Sequence, residues 1–108
     1  MPAPKVLIDN ARDLRPVDLM SCLLRQRKVY LGDEVDSELS NSIVQQLLYL
    51  EHEDGKAPVT LYINTPGGSI VDGMAIYDVI RQISCPVHAV VAGMAASMGS
   101  VILSGCEK

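Results

Sequence analysis

Apolar positions along the chain switch between two periods, and the switches mark out alternating elements. In "VDLMSCLLRQRK" (17–28), Leu19, Cys22, Leu23 and Gln26 fall at helical spacing and predict a short helix. "VYLGD" (29–33) reads as a strand closed by a turn. A longer helix follows, with Asp36 placed to accept backbone N–H bonds as its N-cap. Leu39, Ile43, Val44, Leu47, Leu48 and Leu50 give that helix one apolar face. "EHEDGKAP" ends it, because Gly55 can turn left-handed and Pro58 cannot continue a helix.

"VTLYIN" (59–64) is a nearly continuous apolar run with β-branched and aromatic members, as expected of a strand buried on both faces. After "TPGGS", Ile70, Met74, Tyr77 and Ile80 share a helical face, and Ser69 with Asp72 forms a capping pattern at its start. "PVHAVVA" (86–92) predicts another buried strand, and "AASMGSVILSG" (95–105) a helix stopped by Gly105. Strand and helix therefore alternate, which predicts an α/β fold with parallel strands. Residues 1–17, with prolines at 2, 4 and 16, read as an irregular arm, and 18–108 as the body of the domain.

Composition narrows the partners. The 108 residues carry a formal charge of −4 with no basic block, which disfavours nucleic acid and anionic membranes. No apolar run approaches the ~18 residues of a membrane span, and "MPAPKVLIDN" lacks the apolar stretch of a secretory signal. The three cysteines, Cys22, Cys85 and Cys106, form no C-x-x-C pair and read as reduced thiols in a cytoplasmic protein. With the ligand spacing of a zinc site missing, neither a metal nor another cofactor is expected.

Two strand ends carry candidate chemistry. In "GMAASMGS" (93–100), Ser97 stands among small residues where a strand turns into a helix. The pattern Ala95-x-Ser97-x-Gly99 resembles the tight nucleophile elbow, whose sharp turn excludes bulky neighbours. On this octapeptide alone, a helix cap explains the serine better. "NTPGGS" (64–69) also follows a strand, and its paired glycines let backbone N–H groups turn outward, although an ordinary turn would look the same. Acyl transfer needs donors aimed at a developing oxyanion; the amides of Gly68 and Met98 are the candidates.

Together, "LYINTPGGSIVDGMAIYDVI" and "GMAASMGSVIL" resemble the proteolytic subunit of the Clp protease, a self-compartmentalising serine peptidase. "VDLMSCLLRQRKVYLGDEVD" and "SIVQQLLYLE" extend the resemblance from about Asp18 to the last residue. It implies the ClpP/crotonase-like fold of repeated β-α units, Ser97 as nucleophile, and an oxyanion hole from Gly68 and Met98. Ser69, Ile70 and Val71 match the segment that pairs with the substrate peptide as an added strand. Leu48, Tyr62 and Val90 match the region where the ATPase docks, and the arm before Asp18 matches the axial loops in position. The implied partners are polypeptide substrates, a ring-shaped AAA+ ATPase, and further copies of the chain in stacked heptameric rings.

A serine triad also needs a histidine oriented by an acid. His52 lies in the charged helix end "LEHEDG". His88 precedes Ser97 by nine positions in a strand that rises ~3.3 Å per residue. Neither is expected to serve as base. The resemblance places the family's histidine and aspartate beyond Lys108, so the 108 residues are expected to be the N-terminal half of a longer subunit and inactive alone. Three other readings compete: a small α/β binding module with no chemistry, a non-catalytic ring subunit, and an acyl-CoA enzyme of the crotonase type. The last typically relies on acidic residues, and "GMAASMGS" has none.

Overall fold

A computed structural model describes residues 16–107. Most of the predicted arm lies outside them; positions 16 and 17 open the first helix. The element order is α1 (Pro16–Arg25), β1 (Lys28–Leu31), α2 (Ser37–Glu53), β2 (Val59–Thr65), α3 (Ile70–Gln82), β3 (Val87–Ala95) and α4 (Met98–Ser104). The three strands form one parallel sheet in the order β1-β2-β3, so the fold is α/β. Along β2 the side chains alternate strictly between buried and half-buried. Val59, Leu61 and Ile63 on one face join Val29, Leu31 and Val87 of the neighbouring strands. Ile43, Leu47 and Leu50 of α2, Ile76 and Ile80 of α3, and Ile102 of α4 complete that core.

Local chemistry sets the helix ends. The Asp36 carboxylate accepts the Leu39 N–H at 2.8 Å, and the Ser69 hydroxyl accepts the Asp72 N–H at 3.2 Å. Of the two glycines expected at helix ends, Gly105 is the C-cap of α4, as expected, whereas Gly55 lies past the α2 C-cap. Neither is left-handed: α2 ends through an extended Asp54, and Gly105 keeps a right-handed helical conformation. Both positions are constrained by close approach instead. A Cβ on Gly55 would stand 2.7 Å from the Ser84 Oγ, and one on Gly105 2.8 Å from the Tyr77 ring.

The strands also depart from expectation. β2 is sealed on one face only, and β3 is exposed over most of its length, with Val90 and Val91 open to solvent. The reason is position: among the described residues, β3 is an edge strand. It also runs on to Ala95, so α4 starts at Met98 rather than near 95. A register irregularity between Ile63 and Thr65 of β2 accommodates the extra length of β3.

Candidate active site

The candidate residues sit at the carboxyl ends of β2 and β3, where ligands collect in open α/β sheets. β2 ends at Thr65 and leads through Pro66 into two glycines with positive φ, 107° at Gly67 and 148° at Gly68. Few side-chain-bearing residues adopt such angles, so glycine is required here. The buried Thr65 hydroxyl accepts the Gly67 N–H at 3.1 Å. The Gly67 carbonyl accepts the Val35 N–H, and the Val35 carbonyl accepts the Ser69 N–H, each at 2.8 Å. These two bonds make Gly68 the partner of Val35 in a parallel bridge.

That bridge fixes where the Gly68 amide points. In a trans peptide the C=O and the following N–H point in opposite directions, and no peptide bond is cis. The Gly67 carbonyl faces Val35, so the Gly68 N–H faces away from it. Val35 follows β1, and β3 lies on the other side of β2. The Gly68 N–H therefore points to the side on which β3 delivers Ser97.

Ser97 occupies the sharp corner between β3 and α4. Its backbone adopts φ 50° and ψ −117°, a region that non-glycine residues rarely visit. It stands at the N-cap position, yet its side chain makes no cap hydrogen bond. The helix-cap reading of the octapeptide thus fails, and the exposed hydroxyl is free for other work. The Ala96 N–H donates to the Thr65 carbonyl at 3.1 Å, tying the corner to the end of β2. Small neighbours are needed: a Cβ on Gly99 would lie 2.8 Å from the Thr65 methyl.

The two corners touch. A Cβ on Gly67 would stand 2.9 Å from the Ser97 Cβ, 3.0 Å from the Ala96 carbonyl and 3.2 Å from the Met98 nitrogen. Met98 buries its side chain against α3, where a Cβ on Gly73 would meet its sulfur at 2.8 Å. Its amide opens the first turn of α4, where an N–H has no intrahelical acceptor. Neither the Gly68 nor the Met98 N–H has an acceptor among the described residues. The arrangement sets an uncapped hydroxyl and the Met98 amide beside the glycine corner that carries the uncommitted Gly68 amide. Such a set suits a carbonyl under attack.

Other candidates lie farther out. Ser69 caps α3, and Ile70 and Val71 form its first turn with their side chains exposed. Those two residues thus present first-turn amides and apolar side chains rather than the extended edge expected for an added strand. Tyr62 and Val90 are register partners on the sheet face turned away from the core. Leu48 is exposed on α2, which packs on the opposite face, so one chain does not bring it to the other two. Tyr62 instead joins Leu23, Lys28, Val29 and Tyr30 in an open apolar groove of about 240 Å³.

His52 is exposed at the end of α2, and His88 pairs with Thr60 near the start of β3, at the far end of the strand from Ser97. Among the described residues, no group of three or more His, Cys, Asp or Glu is placed to hold a metal. Nor is any helix there long and apolar enough to cross a membrane.

Sequence reasoning passed over Thr65 and Asn64. The Asn64 side chain accepts the Met94 N–H at 3.3 Å and packs on Gly93, pinning the irregular stretch of β3. The signal was there in Gly93, since an isolated glycine in a strand pattern marks a bulge or a close approach.

A family model described as Clp protease matches residues 11–108. The chain is 42% identical over 104 residues to ATP-dependent Clp protease proteolytic subunit 1 of Salinibacter ruber (strain DSM 13855 / M31). That alignment covers 96% of this chain and 45% of the relative, so the chain spans about half the relative's length. The matched stretch holds both strand-end corners and the serine between small residues, and the chain belongs to the Clp protease family.

Proposed function

We propose that this chain carries the nucleophile and the oxyanion hole of a serine endopeptidase. Ser97 Oγ attacks the scissile carbonyl, and the carbonyl oxygen, now negative, accepts from the Gly68 and Met98 N–H groups. Collapse of the tetrahedral adduct expels the amine and leaves an acyl-enzyme that water hydrolyses. The serine proton needs an acceptor. His52 and His88 lie away from the corner, so the imidazole and its orienting carboxylate are supplied from outside these residues. The observation that carries the reading is the contact of the Gly67–Gly68 corner with Ser97, whose hydroxyl the fold leaves unused.

The relative's name supports the wider assembly: an ATP-dependent protease that degrades unfolded polypeptides to short peptides. In this reading Ser69, Ile70 and Val71 line the peptide's path, and Leu48, Tyr62 and Val90 contribute to docking of a ring-shaped AAA+ ATPase. Heptameric rings of the subunit enclose the sites in the cytoplasm. The test is labelling of the assembled full-length protein with a fluorophosphonate. Modification confined to Ser97 and absent from Ser97→Ala is expected. An assembled sample that stays unlabelled overturns the peptidase reading and favours a non-catalytic ring subunit.

A further inference from the structure

Thr65 touches both halves of the candidate site. It is wholly buried, which is uncommon for a hydroxyl-bearing residue. Its Oγ1 accepts the Gly67 N–H at 3.1 Å, its carbonyl accepts the Ala96 N–H at 3.1 Å, and its methyl packs where α4 has Gly99. One residue thus grips the glycine corner, the residue before Ser97 and the first turn of α4.

The hydroxyl has a distinct part in this. Pro66 has no N–H, so the Gly67 N–H is the first donor after the strand. With the Gly67 N–H held by Thr65 and the Gly67 carbonyl held by Val35, the peptide plane carrying the Gly68 N–H cannot rotate freely. We infer that Thr65 is a positioning residue, whose side-chain hydroxyl aims the Gly68 amide at the oxyanion formed on attack by Ser97. This rests on the peptidase reading and adds to it the residue that holds one donor in place.

Without the hydroxyl, the buried Gly67 N–H loses its partner and the corner relaxes to find another. Losing an oxyanion donor outright typically costs 10²–10³ in kcat, so misdirecting one should cost about 10–100-fold. The donor acts on the transition state rather than on the bound substrate, so the loss should fall on kcat and leave KM within about threefold.

The experiment uses the assembled full-length protein with a fluorogenic peptide. Thr65→Val, which keeps the shape and removes the hydroxyl, should lose about 10–100-fold in kcat. Thr65→Ser, which keeps the hydroxyl and removes the methyl, should restore kcat to within about threefold of wild type. A Thr65→Val enzyme with wild-type kcat overturns the inference, as does a Thr65→Ser enzyme that falls as far as the valine variant. Should the valine variant not assemble, Thr65→Cys places a weaker acceptor at the same point. It should lose at least about fivefold in kcat, and wild-type turnover in it overturns the inference. A wild type that neither turns over nor labels overturns the peptidase reading itself, and this inference with it.

Discussion

Replacing Ser97 by glycine should make the protein more stable, even though a serine is lost from a helix N-cap. Ser97 holds φ 50° and ψ −117°, a conformation that costs a non-glycine residue on the order of 1–3 kcal/mol. Glycine removes that cost and gives back about 0.5–1 kcal/mol through its freer unfolded chain. The net expectation is a gain of about 0.5–2 kcal/mol. An ordinary cap predicts the opposite sign, with losses of about 0.5–2 kcal/mol for alanine and a few tenths for glycine. Here the hydroxyl makes no cap bond, so Ser97→Ala, which keeps the strained backbone, should stay within about 0.5 kcal/mol of wild type. Equilibrium urea unfolding of wild type, Ser97→Ala and Ser97→Gly reads these differences as midpoint shifts at constant slope. A glycine variant no more stable than wild type would refute the claim of stored strain. An alanine variant well below wild type would refute the claim that the hydroxyl is idle in the fold.

Gly67→Ala puts a methyl 2.9 Å from the Ser97 Cβ on a backbone at φ 107°. It should cost at least about 2 kcal/mol and slow fluorophosphonate labelling; unchanged stability and labelling would mean the corners are not in contact. The Arg27 guanidinium donates to the carbonyls of Leu50, Asp54, Ala57 and Pro58 at 2.8–3.1 Å, fastening the end of α2 to the start of β2. Arg27→Lys, a point donor in place of a planar fork, should lose about 1.5–3 kcal/mol in urea unfolding. Burial pushes the Cys106 thiol from 9.0 up to about 11. The folded protein then holds this proton more tightly than the unfolded chain, so the contribution is whole below pH 9 and fades between pH 9 and 11. Alkylation of Cys106 at pH 8.5 should be slow until denaturant is added.

What was legible in the sequence is what short-range chemistry decides. Asp36 and Ser69 bond amides three residues away, so their capping roles follow from spacing alone. The alternation of strands and helices follows from apolar period, and the two strand-end motifs from their small residues. Contacts between distant segments stayed hidden. Gly105 does end α4, but Gly55, which looks like a left-handed helix stop, is explained by Ser84, far along the chain. The start of α4 was placed three residues early because Ala95 and Ala96 favour helix, whereas pairing with Thr65 extends β3 to Ala95. In the site, Ser97, Gly68 and Met98 stood out by neighbourhood. Thr65 did not, because a threonine ending a strand carries no mark of what its hydroxyl will meet.

The irregular stretch of β3 has a consequence for how far the serine travels. From Val59↔Val87 to Ile63↔Val91 the strands advance in step, and that step would set Ala95 beside Gly67 and carry Ser97 level with Ser69. Instead Ala95 lies beside Thr65, so two residues are absorbed and Ser97 arrives level with Gly67. At about 3.3 Å per residue the retreat is about 6.6 Å, roughly the difference between reaching a shared carbonyl and overshooting it. Because the slack is an even number, inward and outward faces stay in phase. A one-residue deletion between Val91 and Ala95 would invert the faces beyond it. A two-residue deletion would preserve them, remove the slack and still leave Ala95 beside Thr65, so the serine would stay level with Gly67.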